Sequence, residues 1–234
     1  MRPIAVGETL RRLAAKCLCV AAREAAHSHL CPLQVGVAVP LGSEATVHTV
    51  RQWMHRNAGD PTRVFLKVDF QNAFNTVDRA AMLRQIRLHL PGLAPWAEWC
   101  YDRHSRLLFR GSPLTSEAGV QQGDPLGPLF FALALQPALQ AASAGAAGQR
   151  PELVLAYLDD VCLAGDARVV AAALTRLAAA ARQVGLRLNH AKCELTTCAG
   201  EGGAVDAGLF PPDIPVNRSG ALTVLGAPIG GAGG

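Results

Sequence analysis

The sequence predicts an α+β fold built on a ferredoxin-like split βαβ unit with an antiparallel sheet. Three observations lead there. From residue 63 onward, apolar runs and breakers read in the order strand, helix, two strands, helix, strand. Two of those strands, residues 153–158 and 161–163, are separated only by Asp159 and Asp160, a tight hairpin with two carboxylates at its tip. The chain has 234 residues, half of them hydrophobic and 17% charged. That is long enough for a sizeable core and too apolar for a disordered chain.

In order, residues 8–26 have helical spacing, with Leu10, Leu13, Cys17, Val20 and Ala21 on one apolar face. Pro32, Pro40 and Gly42 break the chain into extended segments, and Ser43 and Glu44 open a helix running to Arg56. Gly59-Asp60-Pro61 is a turn. Residues 63–70 alternate as a strand ending at Asp69. Thr76 is the expected cap of a helix in which Val77, Ala81, Ile86 and Leu90 recur, up to Pro91-Gly92. A short helix over 95–104, a strand over 106–109 and a turn at Gly111-Ser112-Pro113 follow. Val120 leads into the loop Gln121-Gln122-Gly123-Asp124-Pro125, and a helix covers 127–142. Beyond the acidic hairpin, an alanine-rich helix over 167–184 is stopped by Gly185. Residues 186–188, 193–197 and 222–225 are short strands, 200–220 a loop rich in Gly and Pro, and 230–234 a glycine tail.

Composition excludes several classes. No run of about 18 apolar residues lacks a charge or a breaker, so no membrane span is expected. No apolar segment follows Met1-Arg2-Pro3-Ile4, so no signal peptide is expected and an intracellular setting is the default. The seven cysteines show no repeated spacing, which argues against a disulfide framework or zinc module. Cys19, His27, His29 and Cys31 lack knuckle spacing. Trp53, Trp96 and Trp99 are expected in helix packing rather than base stacking. The net charge of +4 is unevenly spread: residues 1–63 and 79–110 each carry +4, whereas 64–78 carry −1 and 111–234 carry −3. Basic stretches folded over a carboxylate-bearing surface suit a polyanion held above a metal site.

In the split βαβ topology the first strand lies beside the hairpin, so Asp69 converges with Asp159 and Asp160. Like charges about 4 Å apart repel by on the order of 4 kcal/mol at an effective dielectric of about 20. A hard divalent cation offsets this; Mg²⁺ takes one or two carboxylates together with water and phosphate oxygens. Two such ions activate an attacking hydroxyl and stabilise a leaving oxygen.

Ala156-Tyr157-Leu158-Asp159-Asp160 resembles the Tyr-x-Asp-Asp motif of reverse transcriptases. Residues 65–74, Phe-Leu-Lys-Val-Asp-Phe-Gln-Asn-Ala-Phe, resemble their first catalytic aspartate motif, in which an aromatic follows the Asp by five positions. Residues 119–129 are similar to their template and nucleotide motif, with Gln121 where Pro is frequent. Residues 185–193 resemble the motif that carries a lysine near the departing pyrophosphate, and 225–229 the primer grip. Arg2-Pro3-Ile4 and Gln34-Val35-Gly36 look like the two fingers motifs. The order is similar to non-long-terminal-repeat retrotransposon polymerases of the site-specific ribosomal-DNA class, and it spans nearly the whole chain.

The resemblance implies a right-hand polymerase lacking a thumb, truncated at both ends, with fingers about 1–62 and 78–124 and palm about 63–77 and 125–234. It implies RNA-directed DNA polymerase activity: deoxynucleotides are added to a primer 3′-hydroxyl, with two Mg²⁺ ions that Mn²⁺ could replace. Asp69 and Asp159 would ligate metal and Asp160 would support them. The Phe70 carbonyl could complete one shell, Phe74 would lie under the sugar, and Gln122 and Gly123 would meet the nucleotide and template. Lys192 would protonate the pyrophosphate, and Leu225 and Gly226 would position the primer end. Lys67 shares the Asp69 face of its strand, where it would meet phosphate or pair with the carboxylates, pairing being the expected role. The implied partners are an RNA or DNA template with a DNA primer, deoxynucleoside triphosphates, and a thumb and endonuclease in a parent polyprotein. An RNA-dependent RNA polymerase and an inactive relic or nucleic-acid-binding fragment are the alternatives. Phe74 speaks against the first, since a ribose 2′-hydroxyl calls for a polar group there.

Overall fold

The computed structural model describes residues 7–199 and 206–230, so Arg2-Pro3-Ile4 lies outside the described residues. The chain runs through α1 (Thr9–Leu30), α2 (Gly42–Arg56), β1 (Arg63–Val68), α3 (Ala73–Thr76), α4 (Arg79–His89) and α5 (Ala94–Tyr101), then the hairpin β2 (Ser105–Phe109) and β3 (Ser112–Ser116). It continues through α6 (Gly127–Ser143), the hairpin β4 (Leu153–Tyr157) and β5 (Asp160–Asp166), α7 (Ala167–Arg182), β6 (Glu194–Thr197), β7 (Val216–Asn217), β8 (Leu222–Val224) and β9 (Ala227–Ile229).

The main sheet has the order β4-β5-β1-β6-β7. Its first four strands are antiparallel neighbours, which is the split βαβ arrangement the sequence predicts. β7 adds a short parallel pair beside β6. Side chains alternate between the two faces of such a sheet. Val64, Leu66, Val68, Val161, Leu163 and Leu195 point into one core with α4, α6 and α7. Phe65, Cys162 and Ala164 point the other way, against Val50, Trp53 and Met54 of α2 and Leu222, Val224 and Ile229 of the β8–β9 hairpin. The second face also carries Lys67 and Asp69, two and four positions after Phe65.

Several local expectations are corrected. The helix at the N-terminal end forms, but it buries Ala15, Ala22, Ala26 and Leu30. The larger side chains chosen as its buried face are exposed, Leu10 at 71%, Leu13 at 58% and Val20 at 77%. Both stripes have helical spacing. A stripe of alanines lets the backbone approach α6 closely, which leucines would prevent. Thr76 does not cap α4: its hydroxyl bonds back to Ala73 within α3, and Asp78 accepts the Ala81 N–H at 2.6 Å instead. The tip of β2–β3 is Arg110-Gly111, one residue earlier than expected, both with positive φ as a two-residue hairpin turn requires. The acidic hairpin shifts likewise. Tyr157 pairs with Asp160, so the tip is Leu158-Asp159 and Asp160 opens β5. Residues 186–188 form no strand beyond one bridge from Leu188 to Phe70.

Candidate active site

The pairing of β1 with β5 places Val68 opposite Val161. Asp69 and Asp160 are the next residues on the two strands; with the register continued they would face each other, with Cβ atoms about 4.5–5.5 Å apart. Asp159 follows at the turn. Asp69 and Asp159 are half-buried and Asp160 is exposed. The β1–β5 register and the β4–β5 turn thus bring the backbone at positions 69, 159 and 160 to one end of the sheet. Among the described residues, no three His, Cys, Asp or Glu side chains are gathered into a ready-made metal cage. Two or three carboxylates at the ends of adjoining strands fit an ion that completes its shell with water and phosphate oxygens.

Beyond Asp69 the chain is stitched to the segment before β6. The Asp69 carbonyl accepts from the Asn189 N–H at 2.8 Å, and the Gln71 N–H donates to the Arg187 carbonyl at 2.8 Å. The Asp69 N–H lies 3.4 Å from Cys193 Sγ. These contacts hold the exposed Lys192, in the 3₁₀ turn His190–Lys192, on the loop that flanks Asp69. Burial raises the pKa of the Cys193 thiol, so it is a neutral packing group. The Lys67 ammonium meets Glu194 at 3.3 Å and the Thr223 carbonyl at 3.4 Å, tying the β8–β9 hairpin to the sheet. Leu225 and Gly226 form the tip of that hairpin, on the Asp69 face, with φ of 49° and 82°.

Phe70 is buried in the main core. Phe74 is half-buried on α3, and its ring stacks on Phe131 of α6 with centroids 4.4 Å apart. The packing expected of a core aromatic is present, and it also fixes the ring's orientation. The chain after β3 passes directly over α3. The Gly119 N–H bonds the Val77 carbonyl at 3.0 Å and the Val120 N–H bonds the Phe74 carbonyl at 2.8 Å. A Cβ on Gly119 would lie 2.4 Å from the Phe74 carbonyl oxygen, and its φ is 69°, so only glycine fits.

The loop that follows is held by groups the sequence did not single out. The Tyr101 hydroxyl donates to Asp124 at 2.6 Å and accepts the Gln121 N–H at 3.3 Å. Asp124 also accepts the Leu126 N–H at 3.0 Å. Arg11 reaches from α1 to Gln121 Oε1 at 3.3 Å and Asp124 at 3.9 Å. Burial, then the Asp124 charge, push the Tyr101 pKa far up, so the hydroxyl stays protonated and a donor. This network occupies the place where a proline at 121 would stiffen the loop. Gln122 is half-exposed and Gly123 exposed at φ 114°, so both are open to solvent.

Two basic or aromatic groups behave otherwise than expected. Arg79, counted in the second basic stretch, is buried and donates to Ser116, Ala118 and Gly119 at the foot of the β2–β3 hairpin. Trp99 is exposed at 69% and lies under Arg11, whereas Trp53 is buried and donates to Glu152. His29 stacks on His89, and Cys19 contacts the Pro125 carbonyl.

A split βαβ antiparallel sheet with Asp69 and Asp160 just past the adjoining ends of the pairing between β1 and β5 defines the fold of a polymerase palm. The profile of the family "Reverse transcriptase (RNA-dependent DNA polymerase)" matches residues 1–229, and the chain belongs to this family. Solved structures agree on the fold. Apo telomerase from Candida tropicalis, truncated from its C-terminal domain, is similar with a TM-score of 0.58 at 14% identity, over 94% of this chain and 43% of that one. A second apo Candida tropicalis telomerase gives 0.57 at 13% identity, over 86% and 38%. Telomerase from Candida albicans, in complex with a fragment of telomeric RNA, gives 0.51 at 12% identity, over 80% and 33%. The chain therefore spans less than half the length of the structures it resembles. No curated protein matches it in sequence.

Proposed function

We propose that this chain extends a DNA primer paired to an RNA or DNA template, with Mg²⁺ held by Asp69, Asp159 and Asp160. The register that ends with Val68 opposite Val161, with Asp69 and Asp160 the next residues on the two strands, supports this reading. When bound, the ions lower the pKa of the primer hydroxyl and stabilise charge on the leaving oxygen. The carboxylates hold them, and the Phe70 carbonyl is the backbone group next to Asp69. Gln122 and Gly123 meet the nucleotide and template, Phe74 packs under the sugar, and Lys192 protonates the pyrophosphate. Leu225 and Gly226 position the primer end on the same sheet face. In this reading residues 1–62 and 78–124 are fingers, and 63–77 and 125–234 palm. The order of motifs supports the non-long-terminal-repeat retrotransposon class.

The test is primer extension on poly(rA)/oligo(dT) with and without Mg²⁺. Extension by the wild type that depends on the metal and disappears in Asp69→Asn supports the proposal. No extension by the wild type would turn the reading towards a nucleic-acid-binding relic.

A further inference from the structure

The acidic turn is strained. Leu158 sits at φ 57°, a conformation that side chains other than glycine, Asn and Asp seldom take. A fully buried amide holds it there. Gln34, 0% exposed, lies 124 positions earlier in the chain, on the segment between α1 and α2. Its Nε2 donates to the Leu158 carbonyl at 3.1 Å, and its Oε1 accepts the Leu158 N–H at 2.7 Å. The same oxygen accepts the Gly36 N–H at 3.0 Å. Both backbone groups of one residue are thus satisfied by one side chain.

The surroundings prevent this amide from drifting. The Val35 N–H donates to the Ala156 carbonyl at 2.8 Å and the Ala156 N–H to the Leu33 carbonyl at 2.7 Å, so Gln34 runs as a short parallel bridge beside β4. Gly36 presses against the turn itself: a Cβ there would stand 2.6 Å from the Leu158 nitrogen and 2.9 Å from its Cγ. A buried polar side chain is retained only where it is satisfied. Here the group it satisfies precedes Asp159 directly.

We infer that Gln34 is a positioning residue for the acidic turn: it fixes the Leu158 peptide groups and through them the direction of the Asp159 and Asp160 carboxylates, with Gly36 supplying the space. The inference deepens the proposed function and rests on its assignment of these carboxylates to metal. It also makes the segment between α1 and α2 a sensor of turn geometry. Anything that shifts Gln34 shifts the metal ligands without touching substrate.

The test compares wild type, Gln34→Leu and Gln34→Glu in four measurements: thermal midpoint, hydrogen exchange of the Leu158 amide, Mn²⁺ affinity by electron paramagnetic resonance, and single-nucleotide extension. Gln34→Leu removes both contacts. It should speed Leu158 exchange by more than about tenfold, weaken Mn²⁺ by about tenfold and slow extension by about tenfold or more, with the KM for dTTP within about threefold. These magnitudes correspond to losing one or two hydrogen bonds. Gln34→Glu keeps the length and the acceptor but not the donor, and should fall between the other two. A purely structural role would lower the midpoint and leave Mn²⁺ affinity within about twofold, which would overturn the inference. Should the wild type take no Mn²⁺, the metal assignment fails by itself, and unchanged Leu158 exchange in Gln34→Leu would then overturn the positioning role as well. Should Gln34→Leu not fold, Gln34→Glu decides by the same readouts.

Discussion

The acidic turn at Leu158-Asp159 and the loop from Gln121 to Pro125 border one site in the proposed reading, and they are held in different ways. The turn joins two strands whose pairing runs from Leu153–Ala164 to Tyr157–Asp160, and Gln34 grips its backbone. The loop has no strand ladder. It is held by a hydroxyl, a carboxylate and a guanidinium from three separate parts of the chain, Tyr101, Asp124 and Arg11. Ladders distribute the constraint over many peptide groups, so single side-chain changes seldom move them. A three-member network concentrates it, and losing one member frees the rest. The comparison therefore assigns fixed chemistry to the turn and adjustable substrate contact to the loop.

The largest effect is expected at the ladder's end. Asp69→Asn or Asp159→Asn should bring primer extension to background while thermal stability is kept or raised, because each change removes a ligand and also a repulsion. Circular-dichroism melting beside the extension assay checks both halves. Near wild-type extension by either variant would end the two-metal assignment. Next comes Lys192→Ala, which should slow the chemical step by about 10²–10⁴-fold with little change in primer–template affinity. Pre-steady-state rates measure this, and an unchanged rate with weaker binding would reduce Lys192 to a phosphate contact.

Phe74 should act on discrimination rather than rate. In the proposed reading a ring fixed against Phe131 would tolerate hydrogen at C2′ but would block a hydroxyl and leave it without a partner, at about 1–3 kcal/mol. Ribonucleotides should be rejected by about tenfold to a hundredfold. The ratio of kcat/KM for dTTP and UTP should narrow in Phe74→Val. Equal loss for both substrates would make the ring structural. The smallest effect is expected at the loop. Tyr101→Phe removes one donor to a charged acceptor and should raise the KM for dTTP by about tenfold with kcat held within about threefold. A fall in kcat alone would mean that the loop acts on the chemistry.

Much of the turn was legible because its determinants are local. Alternation in residues 63–68, an apolar hairpin around two aspartates and a five-residue step to Phe74 are sequence patterns, and the sheet honours them with a shift of one residue at the tip. The loop's support was not legible. Tyr101 and Arg11 stand 20 and 110 positions from the Gln121 groups they hold, and nothing in their spacing marks them. Gln34 belonged to a quoted motif, yet only the fold shows that its amide faces Leu158. The α1 face was misread because helical spacing fits both the alanine stripe and the leucine stripe. Packing distance decides between them, and periodicity does not encode it. Arg79 was counted as surface charge although it serves as an internal staple.

Single-turnover incorporation of dTTP, titrated over nucleotide concentration for wild type, Asp160→Asn and Tyr101→Phe, tests the central contrast most directly. The expected result is a lowered maximal rate with little change in apparent nucleotide affinity for Asp160→Asn, and weakened affinity with a nearly unchanged maximal rate for Tyr101→Phe. Both variants losing rate and affinity in the same proportion, or the two effects exchanged, would contradict a division of labour between a ladder-fixed turn and a side-chain-braced loop.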